Sequence, residues 1–255
     1  MLSQNQIKNI RSLQQKKFRN ELQQFIAEGP KLVDELIESK FLFDCIYAKE
    51  AWLSLHRETL ENKKITFAEI TQKELERISG LTTPNLVVAV INMPNDPLSE
   101  NIFGKELILV LDNIKDPGNL GAIIRTADWF GINNIICSET SVDAYNPKVI
   151  QATMGSVARV NIYYSNLTEL LEKHSSKAPI YGAFMDGKKI SEVSLEKNGI
   201  VVIGNESNGI SPDIQPFISQ KVAVPMYVNQ PKKNPESLNA SIAAAIICYE
   251  FRKQE

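Results

Sequence analysis

The sequence predicts an α/β protein in two parts: a smaller N-terminal α/β domain, then a larger domain built on a mostly parallel sheet. Three observations carry this prediction. Short apolar, strand-like runs alternate with stretches of helical periodicity along most of the chain. An unpatterned stretch from Met93 to Asn101, with two prolines and two asparagines, interrupts the alternation. The runs Leu107–Leu111 and Ile200–Ile203 are apolar throughout, as expected of strands covered on both faces. The expected boundaries are residues 1–92, a linker over 93–105, and 106–255.

In the first part, Ile7, Ile10, Leu13, Phe18, Leu22 and Phe25 recur roughly at helical spacing, so residues 6–24 read as one amphipathic helix. A short strand follows at Phe25–Ala27, then a helix over Pro30–Ser39 with proline in its first turn. Strands at Asp44–Ala48, Lys64–Phe67 and Leu86–Ile91 alternate with helices at Ala51–Leu60 and from Thr71 to about Ser79. In the second part the expected strands are Leu107–Leu111, Asn134–Cys137, Pro179–Phe184, Gly199–Gly204 and Lys221–Met226. The expected helices are Leu120–Phe130 capped by Asn119, Pro147–Met154, Asn166–His174, and an apolar C-terminal helix capped by Ser237.

Of 255 residues, 43% are hydrophobic and 23% charged, which describes an ordinary globular chain and argues against wholesale disorder. No apolar run reaches the roughly 18 residues of a membrane span, and the N-terminus lacks the apolar core of a signal peptide. Cys45, Cys137 and Cys248 are scattered and odd in number, which suits reduced thiols and a cytoplasmic location. With only His56 and His174 available, a histidine metal centre is not expected. The net charge of −2 announces no polyanionic partner. Locally, however, Lys8, Arg11, Lys16, Lys17 and Arg19 crowd the first twenty residues, which reads either as a solvated helix face or as a phosphate-contacting patch.

Three stretches concentrate polar chemistry where strands end. In Asn113-Ile-Lys-Asp-Pro-Gly-Asn-Leu-Gly-Ala-Ile-Ile-Arg-Thr-Ala127, a turn leads into an otherwise apolar helix carrying Arg125. A guanidinium there needs an anionic or carbonyl partner, either a ligand or an internal acid such as Asp128 or Glu206. In Ile203-Gly-Asn-Glu-Ser-Asn-Gly-Ile210, a buried strand runs into a glycine-bounded loop that can present main-chain amides, and no phosphate-loop signature is present. Val224-Pro-Met226 and Glu236-Ser-Leu-Asn-Ala-Ser241 flank a proline-rich loop and open the last helix.

Taken in this order, the three stretches resemble the SpoU (TrmH-like) family of SPOUT RNA methyltransferases. Gln151-Ala-Thr-Met-Gly-Ser-Val-Ala-Arg159 is similar to the family's intermediate segment, and Arg19 with Ala27-Glu-Gly-Pro-Lys-Leu-Val33 to the substrate-binding domain that many members carry. The resemblance implies a parallel-sheet SPOUT domain with a trefoil knot and a homodimer. It also implies S-adenosylmethionine as cofactor and methylation of a ribose 2′-hydroxyl in rRNA or tRNA. By motif position it implies functional roles for Asn119, Arg125, Glu206, Ser237 and Asn239. The cofactor would lie against Ile203, Gly204, Asn205, Val224, Met226, Ser237 and Leu238. RNA would meet Lys16, Lys17 and Arg19, and also Lys232 and Lys233 in a loop, Tyr227–Pro235, that is longer than the usual family loop. Base methylation and a non-catalytic RNA-binding protein of the same fold are the alternative readings.

Overall fold

The computed structural model describes residues 1–227 and 237–253. They divide into two compact units, Met1–Asp96 with Asp143–Ala158, and Pro97–Val142 with Arg159–Glu255.

In the first unit, helix α1 (Gln4–Ser12) opens with a reciprocal cap: the Ser3 and Gln6 side chains each accept the other residue's main-chain N–H. The single helix expected over 6–24 is two helices, because Leu13 turns into the core and the chain restarts as α2 (Lys16–Leu22). The carbonyl freed at the break accepts a hydrogen bond from Arg19 Nη1 at 2.8 Å. Strands β1 (Gln24–Glu28), β2 (Phe43–Ala48), β3 (Phe67–Glu69) and β4 (Val87–Asn92) form a mixed sheet in the order β1-β4-β2-β3. Helices α3 (Pro30–Ile37), α4 (Glu50–Asn62) and α5 (Gln72–Ile78) connect them. The strand expected at Lys64–Phe67 forms later, since Lys64 is left-handed (φ 55°) and belongs to the turn that ends α4.

In the second unit, β5 (Leu107–Leu111) leads through α6 (Pro117–Trp129) to β6 (Asn134–Ser138). The chain then contributes Asp143–Ala158, including α7 (Pro147–Thr153), to the first unit, so that unit is not a contiguous N-terminal block. It returns as β7 (Asn161–Ser165), α8 (Leu167–His174), β8 (Ile180–Lys189), β9 (Gly199–Ile203), β10 (Gln220–Ala223) and α9 (Ala240–Arg252). The six strands are all parallel, in the order β10-β8-β9-β5-β6-β7. Strand β7 escapes the sequence pattern because it is an edge strand of half-exposed residues. The connections run outward from β5 to β7 and then cross back, so the order reverses between β5 and β9. A crevice outside the carboxyl ends of the strands is expected at such a point. Helix α9 packs against α6, and Arg252 donates to the carbonyls of Phe130 (2.8 Å) and Gly131 (3.1 Å), which closes the end of α6. The path of residues 228–236, needed to trace the expected trefoil knot, lies outside the described residues.

The first unit also corrects the expected role of Arg19. Arg19 is not available to RNA: it is 1% exposed, and its Nε and Nη2 donate to Asp143 Oδ2 at 2.9 and 2.5 Å. The same carboxylate's other oxygen accepts the Tyr145 N–H at 2.9 Å, and Gln151 Nε2 donates to the Glu28 carbonyl at 2.7 Å. These bonds tie Asp143–Ala158 to α2 and β1. Removing one member of a buried ion pair strands the other's charge. Arg19→Ala should therefore lower stability by about 3–5 kcal/mol in chemical denaturation, whereas Lys16→Ala, at an exposed position, should change it by less than about 0.5 kcal/mol. Wild-type stability in Arg19→Ala would contradict the buried-pair role.

Candidate active site

The three polar stretches meet beyond the carboxyl ends of β5 and β9. Asp116, not Asn119, caps α6: its Oδ1 accepts the Asn119 N–H at 2.8 Å, and Pro117 fills the first helical position. This leaves the Asn119 side chain free to reach outward. Asn239, not Ser237, caps α9, its Oδ1 accepting from the N–H groups of Ser241 (3.0 Å) and Ile242 (3.4 Å). The Ser237 hydroxyl is used elsewhere and donates to the Glu206 carbonyl at 3.3 Å.

A directed chain of hydrogen bonds follows from these caps. Because Asn239 Oδ1 is committed to helix N–H groups, its Nδ2 must be the donor to its other neighbour, Asn119 Oδ1, at 2.9 Å. Asn119 Nδ2 in turn donates to the Glu206 carboxylate. Asn119, Glu206, Ser237 and Asn239 thus form one connected group, joining residues 87 and 120 positions apart in sequence.

Arg125 does not join this group. It is exposed on α6 and makes no hydrogen bond or ion pair with a described residue. Both acids that could have held it are engaged: Asp128 receives Arg159 at 2.8–3.0 Å, and Glu206 receives Asn119.

The loop between Ile203 and Ile210 is closed by two main-chain bonds between Asn205 and Gly209, at 3.0 and 2.8 Å. A Cβ on Gly204 would lie 2.2 Å from the Gly209 carbonyl carbon, so only glycine fits there. Asn205 Oδ1 accepts from Ser207 N at 2.9 Å, and its Nδ2 donates to the Asn113 carbonyl at 3.0 Å. Asn205 therefore ties this loop to the one after β5.

The cofactor positions expected from the motifs differ in what they offer. Ile203 is buried and its carbonyl is taken by Asp112 N–H. The main-chain groups of Gly204 make no hydrogen bond with a described residue. Val224 is half-buried, while Met226 and Leu238 are about half exposed, at 50% and 43%. Lys16 and Lys17 are exposed on α2, and Lys232 and Lys233 lie outside the described residues. Beside Asp112 and Asn113 opens a cleft of about 400 Å³, whose lining includes Glu139 and Asp213 but no Lys or Arg. An acidic wall of this kind is unsuited to phosphate. Asn113 opens the first motif stretch without an expected role of its own, and Ser138 and Ser141 lie outside all three stretches. Asn113 is left-handed (φ 59°), and the two serines hold its peptide and the next.

Comparison with known proteins places this geometry. The MRM3-like substrate binding domain matches residues 4–89. The chain is 28% identical over 249 residues to the 23S rRNA (guanosine(2553)-2′-O)-methyltransferase of Bacillus subtilis, covering 96% of this chain and 95% of that protein. A TrmH-family protein from Porphyromonas gingivalis superposes with a TM-score of 0.87 at 36% identity, both chains being covered completely. An AdoMet-bound rRNA methyltransferase from Sinorhizobium meliloti gives 0.87 at 26% identity, covering 100% of this chain and 97% of that one. The SpoU rRNA Methylase family matches residues 106–249, and with the β5–β9 site it shows that the chain belongs to that family.

Proposed function

We propose that this protein transfers a methyl group from S-adenosylmethionine to a ribose 2′-hydroxyl of RNA, with ribosomal RNA as substrate. The observation that supports this most is the convergence of all three motif stretches in one hydrogen-bonded group, with Arg125 exposed on the same helix as Asn119 and without a partner among the described residues. The full-length relative named for 23S rRNA 2′-O-methylation supports the substrate class. The cofactor fits the residues present: Gly204 offers main-chain groups that no described residue engages, and Met226 and Leu238 offer apolar surface. When bound, it supplies an electrophilic sulfonium methyl.

The chain's own residues do the rest. Arg125 binds the phosphate next to the target ribose and stabilises the negative charge that grows on the attacking oxygen. A planar cation with a fork of N–H donors suits this role. Asn119, held by Asn239 and Glu206, orients the reacting groups, and Ser237 fixes the Glu206 main chain. Lys16, Lys17, Lys232 and Lys233 add phosphate contacts.

A second copy of the chain completes the assembly. Helix α9 leaves Ile242 and Tyr249 half exposed, and Trp129 at the end of α6 is 85% exposed, an arrangement that covers poorly in a monomer. Ile242→Glu with Tyr249→Glu should convert a dimer to a monomer in sedimentation. A wild-type protein that is monomeric at micromolar concentration would refute the dimer.

Methyl transfer is tested on unmodified rRNA transcripts, with nucleoside mass spectrometry of the digested product. The wild type should yield a 2′-O-methylnucleoside; a methylated base or no product would overturn the reading. Arg125→Ala should lower turnover by roughly 100-fold or more, in the range of losing one charge-stabilising donor, with cofactor affinity nearly unchanged. Arg125→Lys should also be poor, because a point charge does not replace a bidentate fork.

A further inference from the structure

Resting on that reading, we infer that Ser138 is a positioning residue for methyl transfer, acting through Asn113 and Asn205 on Glu206. Ser138 ends β6 and is 8% exposed, and its Oγ accepts the Asn113 N–H at 2.9 Å. Ser141, 3% exposed, accepts the next amide, Ile114 N–H, at 3.2 Å. The two hydroxyls are 2.9 Å apart, and Thr140 Oγ1 lies 3.1 Å from Ser138 Oγ.

The protons can be placed by counting. Ser141 Oγ donates to the Leu111 carbonyl, at 3.4 Å, at the end of β5. Its remaining capacity toward Ser138 is then as acceptor, so Ser138 donates to Ser141 and receives from Thr140. Every hydroxyl in the row has a partner, and the row is aimed at two consecutive amides of the loop between β5 and α6.

On its other side the same peptide segment is held from the second motif. The Asn113 carbonyl accepts Asn205 Nδ2 at 3.0 Å. Asn113 is thus clamped at both main-chain groups in a left-handed conformation. Glu206, which follows Asn205 directly, carries the carboxylate that receives Asn119. A shift of the Asn113 peptide moves Asn205, and with it the carboxylate that ends the Asn239–Asn119–Glu206 chain. Deleting the Ser138 hydroxyl leaves the Asn113 N–H without its acceptor at that point, and the segment must shift to regain one. Displacement of catalytic groups by an ångström or less reduces turnover steeply.

The test compares Ser138→Ala, which deletes the acceptor, with Ser138→Thr, which keeps it. For Ser138→Ala, kcat should fall roughly 10- to 100-fold, with KM for the rRNA transcript and calorimetric Kd and stoichiometry for S-adenosylmethionine unchanged within about 3-fold. Ser138→Thr should recover most of the loss. In a Glu206→Gln background, Ser138→Ala should add little, since both act on one group. A merely structural defect would instead reduce the cofactor stoichiometry or add to the Glu206→Gln loss. If Ser138→Ala does not fold, Ser138→Cys, with its weak sulfur acceptor, should show the same kcat loss. Wild-type kcat in Ser138→Ala, or in Ser138→Cys where that stands in for it, or equal impairment of the deleting and retaining variants, would overturn the role of Ser138 while leaving the methyltransferase reading intact. Absence of methyl transfer by the wild type would overturn that reading and this inference together.

Discussion

The site depends on one side-chain amide doing two things. Asn239 caps α9 with its oxygen and holds Asn119 with its nitrogen. A hydroxyl cap at this position could satisfy the helix equally well, but it could not impose the same direction on the neighbouring amide. The cap commits the oxygen, the nitrogen must then donate, and Asn119 must present its own nitrogen to Glu206. The orientation of the group is set by a helix end, an element held by the packing of α9 on α6 and by Arg252 at the far end.

Around this amide the structure uses main-chain closure to hold polar groups still. Gly204 and the Asn205–Gly209 bonds fix one loop, Asp116 and Pro117 fix the start of α6, and the serines after β6 grip Asn113. Each satisfies main-chain groups where strands end, and together they hold the segments that carry Glu206 and Asn119. Arg125 stands outside this scaffold with no described partner. A cation left solvated is ready for an anion at lower desolvation cost than one already paired.

Much of this was legible in the sequence, and what was not has physical reasons. Buried strands such as Leu107–Leu111 reveal themselves by continuous apolarity, and the motif stretches are local enough to be read directly. The caps are ambiguous in the sequence, because Asp116-Pro-Gly looks like a turn as much as a helix start, and because Ser237 and Asn239 are both good caps two residues apart. Arg19 belonged by charge to a basic cluster. Its burial depends on Asp143, 124 positions away, which no local pattern announces. Ser138 and Ser141 carry no signal at all, since isolated serines are common and their partners are main-chain amides brought near by sheet order. The joining of Asn119, Glu206 and Asn239 is a property of topology alone.

On the proposed function, methyl transfer depends on the direction of the Asn239–Asn119–Glu206 chain as well as on the integrity of α9. Asn239→Asp separates the two, because a carboxylate caps the helix as well as an amide does but cannot donate to Asn119. The decisive measurement is single-turnover methyl transfer by Asn239→Asp, alongside its thermal stability and cofactor affinity. Near-wild-type melting and cofactor binding are expected, with turnover reduced by roughly 100-fold, as for a catalytic group misplaced by about an ångström. Wild-type turnover in this variant would show that the direction of the chain does not matter.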